Sequence, residues 1–372
     1  KIIMNLSIII VNYNTQHYIV QTIQSILRSK LNIDYEIIVV DNNSHDNSCG
    51  TVRDRYPDIK LIKNSKNLGF SGAVNVGVKA SKSTSILLLN PDTIVDERAM
   101  QLLYDNLNNN PKTGVVGGKI INSNGVFQLS SRRAFPGILT SLFQISGLSY
   151  LFPKSRIFGR YNYTYINKDT LHEVDSVSGA CIMFEKKLYD TINGFDEDYF
   201  LFFEETDFCI RAKKTGKLVY YVPEALIVHY RGESMKTAVF NVNNIFYQSL
   251  LTFYKKNGSR FISSLLFRPI IFFSYKLKNL TSRLRSNSNT LSQIGFDIFG
   301  VIFSYSIALF AWYGFYYNIG VDFLLYVKHL PILFSYIFSW IFISSLMSYY
   351  RQGNMVNGDI FILNILIFLL SS

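Results

Sequence analysis

Cysteine is scarce in this chain. Cys49, Cys181 and Cys209 are odd in number, far apart and never in a Cys-x-x-Cys pair. That excludes a disulfide framework and offers no zinc-binding spacing. Glycine-rich phosphate loops are lacking as well. The first apolar run leads into "VNYNTQ" and not Gly-x-Gly-x-x-Gly, so the fingerprint of a nicotinamide or flavin dinucleotide site is absent, and no Walker sequence signals an ATPase. No internal repeat or low-complexity tract occurs. The apolar stretch in "KIIMNLSIIIVNYN" is too short for a signal peptide and has no cleavage site. A first residue other than Met suggests a trimmed or tagged chain, and the apolar ending at Ser372 suggests that the natural chain runs further.

Acidic residues are missing altogether between Glu233 and Asp297, a stretch with nine basic residues, from Lys236 to Arg285, against a net charge of +11. Basic residues interleaved with Phe, Leu and Ile suit nucleic acid or an anionic membrane. The residues beyond Asp297 favour the membrane and no nucleic acid. Residues 298–317 and 330–350 are two uncharged runs of bilayer-crossing length, and a third begins near Ile360. Arg283, Arg285 and Arg351 flank the spans, whereas Lys328 and His329 lie near the loop between them. The positive-inside rule then puts both outer ends, and the part preceding them, in the cytoplasm of a bacterial inner membrane. The expected divisions are a catalytic domain over 1–240, basic amphipathic interfacial helices over 241–290, and transmembrane helices over 291–372, two full and one incomplete. The arm and spans serve equally as anchors or as contacts of a homo-oligomer.

The first 240 residues alternate strand and helix. "LSIIIV" at 6–11 reads as a buried strand, and Thr15 as the cap of a helix in which Ile19, Ile23, Ile26 and Leu27 recur. Strands are expected from Glu36, near 59–63 and near 85–90, with helices near 71–80 and 96–108. A mixed, aromatic, loop-rich region begins after Gly114. Another strand begins at Val174, a helix carries "EETDFCIRAKK", and a strand pair near 217–230 closes the domain. This order predicts a sheet covered by helices, with ligands beyond the carboxyl ends of its strands.

Polar clusters fall at those ends: "NYN" at 12–14, "DNNSHD" at 41–46, "NLGFSGAVN" at 67–75 and "NPDT" at 90–93. Each alone is ordinary turn chemistry; four on one sheet edge suggest a site. Pro91 stiffens its turn, so Asn90 and Asp92 project from a fixed corner. A carboxylate there suits Mg²⁺ or Mn²⁺ bridging a diphosphate. His229 in "VHYRGES" is a second ligand or a structural histidine on spacing alone. Glu204, Glu205 and Asp207 stand beside Phe and Tyr, where they either favour the helix dipole or include a general base.

Together these stretches resemble glycosyltransferase family two, with the α/β GT-A fold: "SIIIVNYN", "IIVVDNNSHD", "NLGFSGAVNVG", "LLLNPDT", "VSGACIMF", "GFDEDYFLFFEETDFCIR" and "HYRGES", in that order from Asn5 to Thr237. "NPDT" in place of Asp-x-Asp is similar to the rhamnosyltransferase-like branch. The resemblance implies an inverting, metal-dependent hexosyltransferase moving one sugar, L-rhamnose from dTDP-rhamnose, to a polyprenyl-linked glycan acceptor in cell-surface polysaccharide assembly. It implies that Asn12, Tyr13 and Asp41 hold the nucleoside with Asn42 nearby, and that Asn67 and Gly69 shape the nucleotide-sugar pocket with Asn75 in support. Asp92 matches the metal-binding Asp, Asn90 the first acidic position, and His229 a further metal ligand. Gly179 and Ala180 match the acceptor side. Glu205 takes the place of the catalytic Asp, with Asp207 as second candidate. Two alternatives stand: another UDP- or GDP-sugar donor, or a degenerate, membrane-bound sugar-nucleotide-binding protein. A processive synthase is disfavoured, since Gln-x-x-Arg-Trp is absent and Trp312 and Trp340 lie in the apolar runs.

Overall fold

In a computed structural model of the chain, residues 4–145, 148–230, 241–257, 290–311, 313 and 327–346 are described. They fall into two compact units, one of Lys1–Ser141 with Pro153–Ile271, the other of Leu142–Phe152 with Phe272–Ser372.

The first unit opens with β1 (Met4–Asn12), α1 (Gln16–Leu27), β2 (Tyr35–Asp41), α2 (Ser48–Arg55), β3 (Lys60–Lys63), α3 (Gly69–Ala80) and β4 (Ser83–Leu89). Then come β5 (Thr93–Val95), α4 (Ala99–Asn108), β6 (Thr113–Ile121) and the two-residue β7 (Arg132–Arg133). α5 (Ile138–Ile145), whose second half belongs to the other unit, and α6 (Leu148–Leu151), which belongs to it wholly, precede in the chain β8 (His172–Glu173), β9 (Ser176–Val177) and β10 (Cys181–Glu185) of this unit. α7 (Lys186–Thr191), α8 (Glu204–Lys214), β11 (Leu218–His229) and α9 (Val242–Asn257) complete the unit.

The main sheet runs β3-β2-β1-β4-β10-β6-β11-β5, with β8 also on β11. β3, β2, β1 and β4 are parallel, as expected of β–α alternation, and β10 enters antiparallel between β4 and β6. The sheet is therefore mixed. Buried on both faces, β1 and β4 need continuous apolar runs, and "SIIIV" and "SILLL" supply them. One face packs on Ile19, Ile23 and Ile26 of α1 and Met100, Leu103 and Leu107 of α4. The other packs on Val74 and Val78 of α3 and Phe208 of α8.

Two local expectations change, and one helix was not expected. Thr15 does stand just before α1, but its Oγ1 donates to Asn12 Oδ1 at 2.5 Å and makes no capping bond. The closing pair near 217–230 is one strand of 12 residues, β11, whose register on β6 shifts between Val222 and Leu226, around Pro223. Proline has no N–H for the ladder, so the break falls where the chain cannot donate. Helix α2 went unforeseen because it buries little besides Ser48 and Val52.

In the second unit, α10 (Thr290–Ala311) and α11 (Leu330–Leu346) meet through Val301 and Leu333. They coincide with parts of the two long apolar runs, whose remainders lie outside the described residues, as do 258–289 of the basic arm. Among the described residues no helix is long and apolar enough to cross a membrane.

Candidate active site

The corner after β4 is pinned on several sides. Asn90 N donates to the Ala180 carbonyl at 3.0 Å, Thr93 Oγ1 to the Asn90 carbonyl at 2.8 Å, and Thr22 Oγ1 to the Pro91 carbonyl at 2.7 Å. β5 then pairs with the end of β11, setting Thr93 opposite His229, while Tyr230 N donates to the Asp92 carbonyl. This register brings His229 Nε2 to 3.3 Å from Asp92 Oδ1 and 3.4 Å from Asn90 Nδ2. Gln128 Oε1 lies 3.3 Å from His229 Nδ1. With Nδ1–H donating there, Nε2 turns its lone pair toward Asp92 and Asn90. Asp92 and His229 are buried. No cluster of three or more metal-ligating side chains occurs among the described residues.

The second corner is the start of α8. Phe202 and Phe203 both have left-handed backbones, φ 73° and 68°, immediately before Glu204. Two bulky residues in that region cost roughly 1–2 kcal/mol each. The turn is braced by α9: Ser249 Oγ donates to the Leu201 carbonyl at 2.7 Å, and the Phe246 ring meets those of Phe202 and Phe203 at 5.4 and 5.5 Å. Behind the turn, Glu204 and Glu205 are 5% and 6% exposed. Arg133, from β7, pairs with Glu205 Oε1 and reaches the Val177 carbonyl. Burial opposes the Arg133 charge, but the Glu205 carboxylate outweighs it and raises the Arg133 pKa. Burial, and then the neighbouring Glu205 charge, raise the Glu204 pKa well above the usual carboxylate range.

Both corners line one cavity of about 340 Å³. It gathers Tyr13, Asn42, Asn67, Gly69, Asn90, Asp92, Gly179, Ala180, Glu205 and His229 from the residues singled out in sequence. Gly69 (φ +74°) must be glycine here, since a Cβ would lie 2.6 Å from the Phe200 carbonyl. Gly179 faces Glu205, and a Cβ there would only reach ordinary contact, 3.5 Å from that of Glu205. Asn42 is a knot in the wall, donating to Asn67 Oδ1 and the Gly69 carbonyl while accepting from Asn64 Nδ2 and Leu68 N.

Four of the expected residues lie behind this lining. Asn12 donates to Asp41 Oδ1 at 2.8 Å and Asp41 Oδ2 accepts from Ser44 N, so the two tie β1 to the loop after β2. Asn75 bonds both the amide and the carbonyl of Phe195 and lines a separate depression with Arg211. Asp207 accepts from Arg211 Nε at 2.7 Å and from Asn257 Nδ2 at 3.3 Å. The buried cysteines lie in the fold as inert groups: burial pushes the Cys181 and Cys209 thiols up to about 12.

A protein-family model, Glycosyl transferase family 2, matches residues 7–192, half of the chain. The chain belongs to glycosyl transferase family 2. The matched region includes Asp92 and stops before Glu205 and His229, which the family 2 sheet nevertheless brings to the same cavity. Among curated relatives, N-acetylglucosaminyl-diphospho-decaprenol L-rhamnosyltransferase of Mycobacterium tuberculosis is 26% identical over 209 residues, 53% of this chain and 67% of that protein. Low-salt glycan biosynthesis hexosyltransferase Agl10 of Haloferax volcanii is 28% identical over 217 residues, 56% of this chain and 62% of that one. The chain thus spans about two thirds of the length of these relatives. A crystal structure of GalNAc-T7 with UDP, GalNAc and Mn²⁺ superposes with a TM-score of 0.50 at 14% identity, covering 71% of this chain and 52% of that one, which establishes likeness of fold.

The family 2 cavity also includes groups that sequence reasoning missed, Arg133, Tyr161, Phe200 to Phe203 and Phe246, together with Glu204, named in sequence beside Glu205 without a role of its own. The apolar "FLFF" before the acids was a usable signal. Arg133 had none, because "SSRRAF" reads as a solvated basic turn.

Proposed function

We propose that the chain is an inverting glycosyltransferase that moves one sugar, L-rhamnose from dTDP-rhamnose, onto a polyprenyl-linked glycan acceptor in cell-surface polysaccharide assembly. The observation that carries this reading is that the buried Asp92–His229 pair and the buried Glu205 line one cavity. The rhamnosyl and lipid-linked parts rest on the similarity to the mycobacterial relative.

One carboxylate and one imidazole fit Mg²⁺ or Mn²⁺, whose remaining positions diphosphate oxygens and water would fill. Asp92 and His229 would hold the ion, which supplies neutralisation of the charge developing on the departing nucleoside diphosphate. Tyr13, Asn67 and Gly69 form the wall against which the nucleotide sugar rests. Glu205 takes the proton of the acceptor hydroxyl as that oxygen attacks the anomeric carbon from the face opposite the leaving diphosphate. Its ion pair with Arg133 keeps the carboxylate aimed. Phe202, Phe203 and Phe246 give the same cavity an apolar side suited to the lipid end of the acceptor.

Membrane attachment, with the catalytic unit on the cytoplasmic side, belongs to the same reading. It is supported by the basic stretch before Asp297 and by exposed Phe299, Phe303, Phe334 and Phe338.

The test is incubation of the detergent-solubilised chain with UDP-, GDP- and dTDP-sugars and a short polyprenyl-diphosphate glycan, with and without EDTA. Released nucleoside diphosphate and mass-shifted lipid are the readouts. EDTA-sensitive transfer from dTDP-rhamnose is expected. Transfer from another donor would discard the rhamnosyl assignment, and silence from folded protein would favour a degenerate sugar-nucleotide-binding domain.

A further inference from the structure

The proposed transfer needs one carboxylate at the acceptor hydroxyl, yet two adjacent carboxyl groups line the cavity, and among the described residues one cation, Arg133, pairs with either of them. Arg133 pairs with Glu205, and its other contact is the Val177 carbonyl. Glu204 Oε2 is buried and has no hydrogen-bond partner among the described residues. A buried carboxylate oxygen left without a donor is costly if charged. A second charge beside the Glu205 carboxylate adds repulsion, and a bound diphosphate would add more.

We propose that Arg133 fixes the single negative charge of this pair on Glu205 and that Glu204 stands as a neutral carboxylic acid, donating a hydrogen bond to a hydroxyl oxygen of the sugar or acceptor gathered at Glu205. The inference rests on the glycosyltransferase reading for its ligand, but not for its charge. Glu204 thereby acts as a reader of substrate hydroxyls and Glu205 alone as the base. Among the described residues, the charged and titratable groups acting on the pair or on its arginine are Arg133 from β7, Tyr161, from the loop after α6, at Arg133, and Cys209 one turn along α8 from Glu205. Among them Arg133 is the one cation; it pairs directly with Glu205, and its charge offsets only part of what burial and the Glu205 charge do to Glu204. Burial, with the Glu205 charge, holds the Glu204 proton on well above the usual range.

Glu204→Gln keeps the shape and a donor; Glu204→Ala removes both. Two readouts decide. The first is thermal unfolding of wild type and Glu204→Gln across pH. A group whose folded pKa is raised stabilises the fold below its unfolded value of about 4.3 and loses that contribution as pH rises. Glu204→Gln has no such loss, so its Tm relative to wild type should climb from acid to neutral pH. A difference that stays flat or falls overturns the neutral assignment. The second is kcat/KM with dTDP-rhamnose and the polyprenyl-diphosphate glycan. Glu204→Gln should stay within about 10-fold of wild type, and Glu204→Ala should lose about 10-fold or more beyond that, as expected when a buried hydrogen bond is left unmade. Loss in Glu204→Gln as deep as in Glu205→Gln would show that Glu204 works ionised and overturn the proposal. If wild type turns over no sugar nucleotide, the transferase reading falls by itself, and the unfolding series alone decides the charge.

Discussion

Glu205 and Asp207 look interchangeable in "EETDFCIR", and the fold separates them. Two positions apart on a helix, their side chains diverge by about 200°. Glu205 faces Gly179 and the cavity, while Asp207 clamps Arg211, whose Nη1 in turn donates to the carbonyls of Ile192 and Gly194. Glu205→Gln should therefore lower transfer by about 10²–10⁴-fold, with nucleotide binding by calorimetry close to wild type; near-normal turnover would remove Glu205 from the base role. Asp207→Asn should instead lower stability by about 1–2 kcal/mol and leave kcat of the folded protein within a few-fold, measured as a Tm shift beside initial rates. The helical phase was legible in the sequence. Arg133 was not: adjacent residues on a strand point to opposite faces, so of "RR" one enters the cavity while Arg132 is buried among the carbonyls of Tyr163, Ile166 and Asn167. Nothing local tells which does which.

At the scale of elements, the strands of the parallel half were legible because their apolar runs are continuous and end in polar turns. The metal corner was legible only in halves. Asp92 and His229 meet through the pairing of β5 with β11, and a three-residue strand such as "TIV" has no periodicity to announce it. Helix α9 is the larger surprise. Composition assigns it to an interfacial segment, yet it packs Phe253 and Tyr254 on Tyr199, and Lys256 pairs with Asp196 and Asp198. It thus holds the strained turn from which Glu204 and Glu205 start. Phe246→Ala takes away a ring that touches both Phe202 and Phe203 and lines the cavity. The expected outcome is a loss of about 1–3 kcal/mol in stability and a raised KM for the acceptor. KM for the nucleotide sugar should change much less, because Tyr13, Asn67 and Gly69 stand on other elements. Equal rises in both values would mean that α9 supports the whole site and not its acceptor side.

At the scale of the whole molecule, charge and apolarity are segregated along the chain: an evenly charged family 2 unit, then a stretch without acids, then long apolar runs. Exposed rings repeat four residues apart on both later helices, Phe299 with Phe303 on α10 and Phe334 with Phe338 on α11. Such spacing lays each pair on one face of its helix. A basic arm alone would hold an anionic surface electrostatically, and that attraction is screened within about 3 Å at 1 M salt. Buried apolar helices would be indifferent to salt. Flotation of the full chain with vesicles containing anionic lipid therefore separates the two modes. The expected result is that the chain floats at low salt and stays with the vesicles at about 1 M salt, as insertion requires. Release at high salt would leave the arm as the anchor and overturn the spanning assignment. Failure to float at either salt would overturn membrane attachment, and with it the placement of the cavity's aromatic side beside a lipid-borne acceptor.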